Sequence, residues 1–205
     1  VSEFVTYEKQ MIGERLKKSF ALKDQSIAQL QKNLDDLKGL MRKMFGSSDM
    51  PKIKKMIRVG VVGGSGYTGG ELIRLILQHP SMELDFVYSR SKEGEKISTC
   101  HADLLCQTKI RFTKKINKNI DVVYLCLGHG NSLEFLKNNN FSKKTLIIDL
   151  GNDFRLKRDS SFNGRNFVYG LPELQKEKIK SSDSIANPGC FATAIQLSIL
   201  PLAQN

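Results

Sequence analysis

The sequence predicts an α/β fold, a doubly wound parallel sheet preceded by a helical extension, on three observations. From residue 57 onward, short β-branched apolar runs alternate with amphipathic helical stretches. A glycine cluster separates the first such strand from the first such helix. Polar or glycine-bearing turns follow the later strands, which is where ligands of open α/β sheets gather.

Before residue 57 the character differs. Ile27, Leu34 and Met41 are spaced by seven, as are Leu30, Leu37 and Met44, and the two sets interleave as a and d positions of one helix over 24–44. That seam suits either packing on another element or dimerisation. A second, less regular helix is expected over 1–20. Residues 49–56 combine a proline with charges and show no period, so a boundary falls near 50–56. The expected organisation is a helical extension (1–50), a linker (51–56), a dinucleotide-binding domain (57–186) and the start of a catalytic and substrate domain (187–205). The chain begins with Val1 rather than Met, so an upstream piece is expected.

The first strand, 59–62, runs into Gly63, Gly66 and Gly69, three apart. The overlapping stretch Gly64-Ser65-Gly66-Tyr67-Thr68-Gly69 also fits G-x-G-x-x-G. A turn without Cβ atoms lets a pyrophosphate approach the backbone. The helix starting near Tyr67 aims its unpaired N–H groups and positive dipole end at that anion. Leu72, Ile73, Ile76 and Leu77 share one helical face. This is a Rossmann-type arrangement.

His79-Pro80 closes that helix, and the second strand, 84–88, ends in Ser89-Arg90-Ser91-Lys92. Sheets that prefer NAD usually place an acid there for the ribose 2′-hydroxyl. Hydroxyls and cations suit a 2′-phosphate instead, which favours NADP(H); the alternative is a solvated basic turn. A buried strand at 121–127 leads to Gly128-His129-Gly130 and a helix through Lys137. The next strand, 145–150, ends in Gly151-Asn152-Asp153-Phe154-Arg155-Leu156.

A short strand near 184–186 breaks at Asn187-Pro188-Gly189, and a helix over 191–200, halted by Pro201, begins at once. Cys190 therefore falls at a helix N-terminus, where the dipole and free N–H groups favour a thiolate and can hold an oxyanion. The alternative is a buried cysteine filling a helix start, the reading given to Cys100, Cys106 and Cys126. No C-x-x-C pair occurs, which argues against zinc and disulfides and for a reducing, cytoplasmic setting. No metal site is expected. His79 sits at a helix end, His101 in a loop, and His129 beside the cofactor crevice in a positioning role.

The net charge of +11 is shared: residues 1–56 carry 12 Lys/Arg against 7 Asp/Glu, and residues 57–205 carry 20 against 14. Such a balance attracts nucleotides, acyl phosphates and nucleic acid alike. No apolar run has transmembrane length and no signal peptide opens the chain, so no membrane partner is expected.

Six motifs in order resemble one family. They are Gly63 to Gly69 with Glu71-Leu72, Ser89-Arg90-Ser91, Gly128-His129-Gly130, Asp149 to Leu156, Tyr169-Gly170-Leu171-Pro172-Glu173-Leu174, and Asn187-Pro188-Gly189-Cys190. Across residues 57–205 the chain is similar to the N-terminal portion of the N-acetyl-γ-glutamyl-phosphate reductases, arginine-pathway relatives of aspartate-semialdehyde dehydrogenase. It departs at Gly128 and Gly151, where relatives often carry Pro and Ser. The resemblance implies NADPH-dependent reductive dephosphorylation of an acyl phosphate through a thioester on Cys190. It assigns Gly63, Gly64, Ser65, Gly66, Tyr67, Thr68, Gly69, Ser89, Arg90, Gly128, His129, Gly130, Asn187 and Pro188 to the cofactor. Arg155, Asn152 and Gly189 go to the substrate, with a surface ion pair the alternative for Arg155. Residues 169–173 become a positioning loop or a plain turn. The resemblance also implies a homo-oligomeric full-length enzyme. It places the base histidine beyond Asn205, so this stretch alone is expected to bind NADP(H) without turnover. Two other readings stay open: a sibling reductase acting on aspartyl or aminoadipyl phosphate, and a helical interaction or nucleic-acid module in residues 1–50. Nucleic acid is the less expected partner.

Overall fold

In the computed structural model, which describes residues 55–203 and, before them, Lys32 alone, β1 (Ile57–Val62) is an inner strand, third from one edge, of a seven-stranded sheet. The rest of the expected helical extension, with its heptad seam and its interaction or nucleic-acid reading, and residues 51–54 of the linker lie outside the described residues.

On one side of β1 lie β2 (Met82–Tyr88) and β3 (Phe112–Thr113). On the other lie β4 (Val122–Leu125), β5 (Leu146–Asp149), β9 (Ser184–Ala186) and β8 (Val168–Tyr169). The pairings are all parallel. Chain order runs outward from β1 through β2 and β3 on one side and through β4 and β5 on the other, where β9 then inserts inside β8. The crevice between the carboxyl ends of β1 and β4 is the switch point where such sheets bind ligands. This is the Rossmann-type doubly wound sheet that the strand–helix alternation predicts.

Side chains alternate across the sheet. Val59, Val61 and Val122 enter one apolar cluster with Ile73 and Ile76 of α1 (Tyr67–Gln78). Val62, Val123 and Leu125 enter a second, with Phe135 and Leu136 of α2 (Ser132–Asn138). Burying both faces explains why these strands read as unbroken apolar runs.

Three features differ from the expectations. Residues 169–173 are not only a loop: β8 adds an edge strand, and α3 (Pro172–Ser181) begins directly at Pro172. Proline at the first helical position is pre-organised for a helix and gives up an N–H that has no partner there. Pro201 does not halt the last helix, because α4 runs Cys190–Ala203 with Pro201 inside it. In the final turn a proline forfeits one bond, with few residues left to misalign. A hairpin of β6 (Ser161–Phe162) and β7 (Arg165–Asn166) precedes β8. Buried Arg165 donates to the carbonyl oxygens of Ser142, Thr145 and Asp183 and to Ser184 Oγ, pinning the hairpin to that edge.

Candidate active site

The glycine turn is shaped by what surrounds it. Gly63 has φ +82°, and a Cβ there would meet the Cys126 carbonyl oxygen at 2.4 Å. Gly66 is the N-cap of α1, in extended conformation, and is exposed. A Cβ on Gly69 would lie 2.7 Å from the Gly63 carbonyl, so this glycine lets α1 close onto the strand end. Gly64 is buried, and its Cβ would overlap Val87 Cγ1. The three-apart set therefore builds the turn, while Gly64 serves its packing on β2.

Opposite the turn, the Ser65 and Ser89 hydroxyls are 3.1 Å apart, and Ser89 is buried at the end of β2. Gly63, Ser65, Gly66, Ser89, Arg90, Ser91, Cys126 and Leu127 line a cleft of ≈ 270 Å³. A dinucleotide fits this donor set: backbone groups at a helix start, three serines and an exposed arginine, with no carboxylate in the lining.

A second cleft, of ≈ 610 Å³, is lined by Thr68, His129, Leu150, Arg155, Asn187, Pro188, Gly189, Cys190, Phe191 and Ala192. It brings the first turn of α1 and the first turn of α4 to one place. Cys190 is the first residue of α4 and is exposed. Arg155 Nε donates to the Asn187 carbonyl at 2.8 Å, and its Nη2 to the Leu150 carbonyl at 3.1 Å. A Cβ on Gly189 would lie 2.9 Å from Arg155 Nη1. Arg155 thus braces the chain entering α4, a role that sequence reading did not give it. Thr193 Oγ1 and N–H both bond the Gly189 carbonyl, closing the first turn of α4.

The remaining predicted residues fall outside both clefts. Tyr67 is 84% exposed. Gly128 and Gly130 are exposed with φ near +80° and open space where a Cβ would be. Asn152 is exposed, and its carbonyl accepts the Arg155 N–H.

Two carboxylates and a histidine have structural roles that sequence reading did not give them. Asp153 accepts from the Gly130 and Leu133 N–H groups at 2.9 and 3.1 Å, tying the Gly128–Gly130 loop to the start of α2. Its place in the Asp149 to Leu156 motif was the available signal. Asp149 is fully buried, accepting at Oδ1 from Ser132 Oγ (2.5 Å) and the Gly151 N–H (3.0 Å). Burial, above all, lifts its carboxyl above the ordinary value. Beside it, burial pushes the Cys126 thiol up to about 12, with the Asp149 charge adding to the rise. Cys126 is thereby separated from Cys190 as a candidate nucleophile. His101 lies in a connecting segment, as expected, but is buried beneath the glycine turn, with Nε2 2.8 Å from the Gly64 carbonyl.

Among the described residues no group of three or more His, Cys, Asp or Glu could hold a metal ion. Likewise, no described helix is long and apolar enough to cross a membrane.

The chain was compared with known proteins. A family model for the semialdehyde dehydrogenase NAD-binding domain matches residues 58–182. The chain is 58% identical over 150 residues to an N-acetyl-gamma-glutamyl-phosphate reductase of Flavobacterium johnsoniae and 57% identical to one of Christiangramia forsetii. Each match covers 73% of this chain and 46% of the relative, so the chain spans about half the length of these curated relatives. Among solved structures, aspartate semialdehyde dehydrogenase with NADP from Candida albicans superposes with a TM-score of 0.51 at 15% identity. That match covers 73% of this chain and 47% of the other, and it is a likeness of fold. Glycine turn, strand order and family match agree: the chain belongs to the semialdehyde dehydrogenase family, of which it carries the NAD-binding domain.

Proposed function

We propose that this chain is the cofactor-binding and nucleophile-bearing part of an enzyme that reduces N-acetyl-γ-glutamyl phosphate to the semialdehyde with NADPH. One observation carries the reading: Thr68 of the glycine turn and Cys190 line the same cleft. The relatives' names supply the substrate.

In this reading Gly63, Ser65 and Gly66 hold the pyrophosphate, and Ser89 and Arg90 hold the ribose 2′-phosphate. The absence of an acid from that cleft's lining favours NADPH over NADH. When bound, NADPH supplies the hydride that reduces the acyl carbon.

The chain's own residues prepare that carbon. The Cys190 thiolate attacks it, a C–S bond forms, and the C–O bond to phosphate breaks with its electron pair leaving on phosphate. The N–H groups of residues 190–192, ahead of the first intrahelical bond of α4, hold the carbonyl oxygen as it gains charge. After reduction the C–S bond of the thiohemiacetal breaks, returning the thiolate and releasing the aldehyde. Arg155, with two nitrogens fixed on backbone carbonyls, offers Nη1 to a substrate anion beside Gly189. His129 and Asn187 wall the same cleft. A reducing compartment suits a free thiol nucleophile, and all four cysteines are free.

The test separates binding from chemistry. Fluorescence titration should show NADPH binding about tenfold more tightly than NADH, the worth of a charge-assisted contact to one phosphate. Mass spectrometry after mixing with N-acetyl-γ-glutamyl phosphate should find the acyl mass on Cys190 and none on the Cys190→Ser chain. Acyl mass on another cysteine would reject the assignment.

A further inference from the structure

The glycine run holds two glycines more than a phosphate turn needs, and Gly64 is accounted for by its packing on β2. Gly63 supplies the positive φ, Gly66 opens α1, and Gly69 lets α1 approach the strand end. Gly70 does none of these. A Cβ on Gly70 would lie 2.3 Å from His101 Cε1 and 2.5 Å from Nδ1. The imidazole thus fills the space that a side chain at position 70 would take.

From there the ring reaches the turn. His101 is 7% exposed, and its Nε2 lies 2.8 Å from the Gly64 carbonyl oxygen. A carbonyl only accepts, so Nε2 carries the hydrogen and donates. The same turn is held from β2, since the N–H groups of Gly63 and Gly64 both reach the Tyr88 carbonyl, at 2.9 and 3.2 Å. The Gly63 and Gly64 N–H groups are therefore anchored to the sheet, and the Gly64 carbonyl to the histidine. His101 is itself fixed. Its N–H bonds the Ile97 carbonyl at 3.1 Å, and Asp103, two residues on, accepts from Arg74 of α1 at both carboxylate oxygens.

We propose that His101 is a positioning residue of the dinucleotide turn: its Nε2–H fixes the Gly64 carbonyl and so aims the Ser65 N–H of the same peptide unit at the pyrophosphate. This rests on the reading above that the chain binds NADP(H). The residue acts through the backbone of Gly64 and touches no reacting atom. Gly70 is glycine to admit the ring.

The test measures the NADPH dissociation constant of the full chain by fluorescence titration, with the melting temperature of the ligand-free protein read alongside. His101→Phe keeps the packing and removes the donor, and it should raise the constant about five- to tenfold, the worth of one buried hydrogen bond. His101→Gln returns a donor near the Nε2 position and should restore binding to within about twofold of native. Gly70→Ala displaces the ring and should weaken binding in the native chain, yet add nothing in a His101→Ala background. A packing role alone would move melting temperature without separating Phe from Gln in binding. Equal NADPH binding by the native and His101→Phe chains overturns the proposal. If His101→Phe fails to fold, the Gly70→Ala cycle decides, and additive effects there overturn it as well. A native chain that binds no NADPH fails the cofactor reading instead.

Discussion

A Cβ added to Gly63 would stand 2.4 Å from the carbonyl oxygen of Cys126, across the seam between β1 and β4. The Cys126 N–H is bonded to the Val62 carbonyl at 2.7 Å, which holds that stretch against β1. Overlap therefore adds to the strain of φ +82°. Gly63→Ala should cost more than about 3 kcal/mol in urea unfolding. Gly128, at φ +78° with nothing within 4 Å, carries the backbone strain alone, and Gly128→Ala should cost about 1 kcal/mol. Equal costs would show that the seam yields.

Thiol labelling should sort the cysteines by environment. Cys106 and Cys190 are exposed, whereas burial holds the Cys126 thiol up to about 12. With iodoacetamide on the native chain at mildly alkaline pH, peptide mass mapping should find Cys106 and Cys190 modified first. Cys126 should remain a thiol until the chain is unfolded. Early alkylation of Cys126 would mean that β4 opens at its carboxyl end.

Asp149 should give stability an acid-side slope. Burial, partly offset by the Ser132 and Gly151 hydrogen bonds, raises its folded value above the ordinary 3.8. The folded state then holds the proton more tightly than the unfolded chain does. Its contribution is fully present below the unfolded value and is lost as pH rises through the folded one. Asp149→Asn removes this titration, and an amide can place its nitrogen where Oδ2 lacks a hydrogen-bond partner among the described residues. Urea midpoints should therefore show the native chain losing ground to Asp149→Asn as pH rises out of the acid range. A gain would reverse the sign of the argument.

How much of this was legible in sequence depended on how local each signal is. The glycine turn reads directly, because strand, turn and helix are consecutive and each glycine has its own steric reason. Cys190 reads through Asn187-Pro188-Gly189, which must end one element before the next begins. His101 does not read, since its partner lies 37 positions away and neither neighbour marks it. The bracing by Arg155 is hidden for the same reason: its nearest sequence signals are charge, and its contacts are backbone carbonyls. Helix α3 was missed because Leu174 and Ile179 are too few to show a period among charged neighbours, leaving Pro172 as the lone cue. The heptads at 27–44 read clearly but fall outside the described residues.

Helix α4 has no buried residue: Phe191, Ile195, Ile199 and Leu202 run along it at 82, 54, 53 and 78% exposure. The glycine bend, by contrast, is bonded to the Tyr88 carbonyl and to His101, with Gly64 buried against Val87. Local opening is cheapest where least apolar surface is hidden, so mild denaturant should free the sulfur before it loosens the nucleotide cradle. Of the two, the sulfur-bearing helix is thus the easier to open.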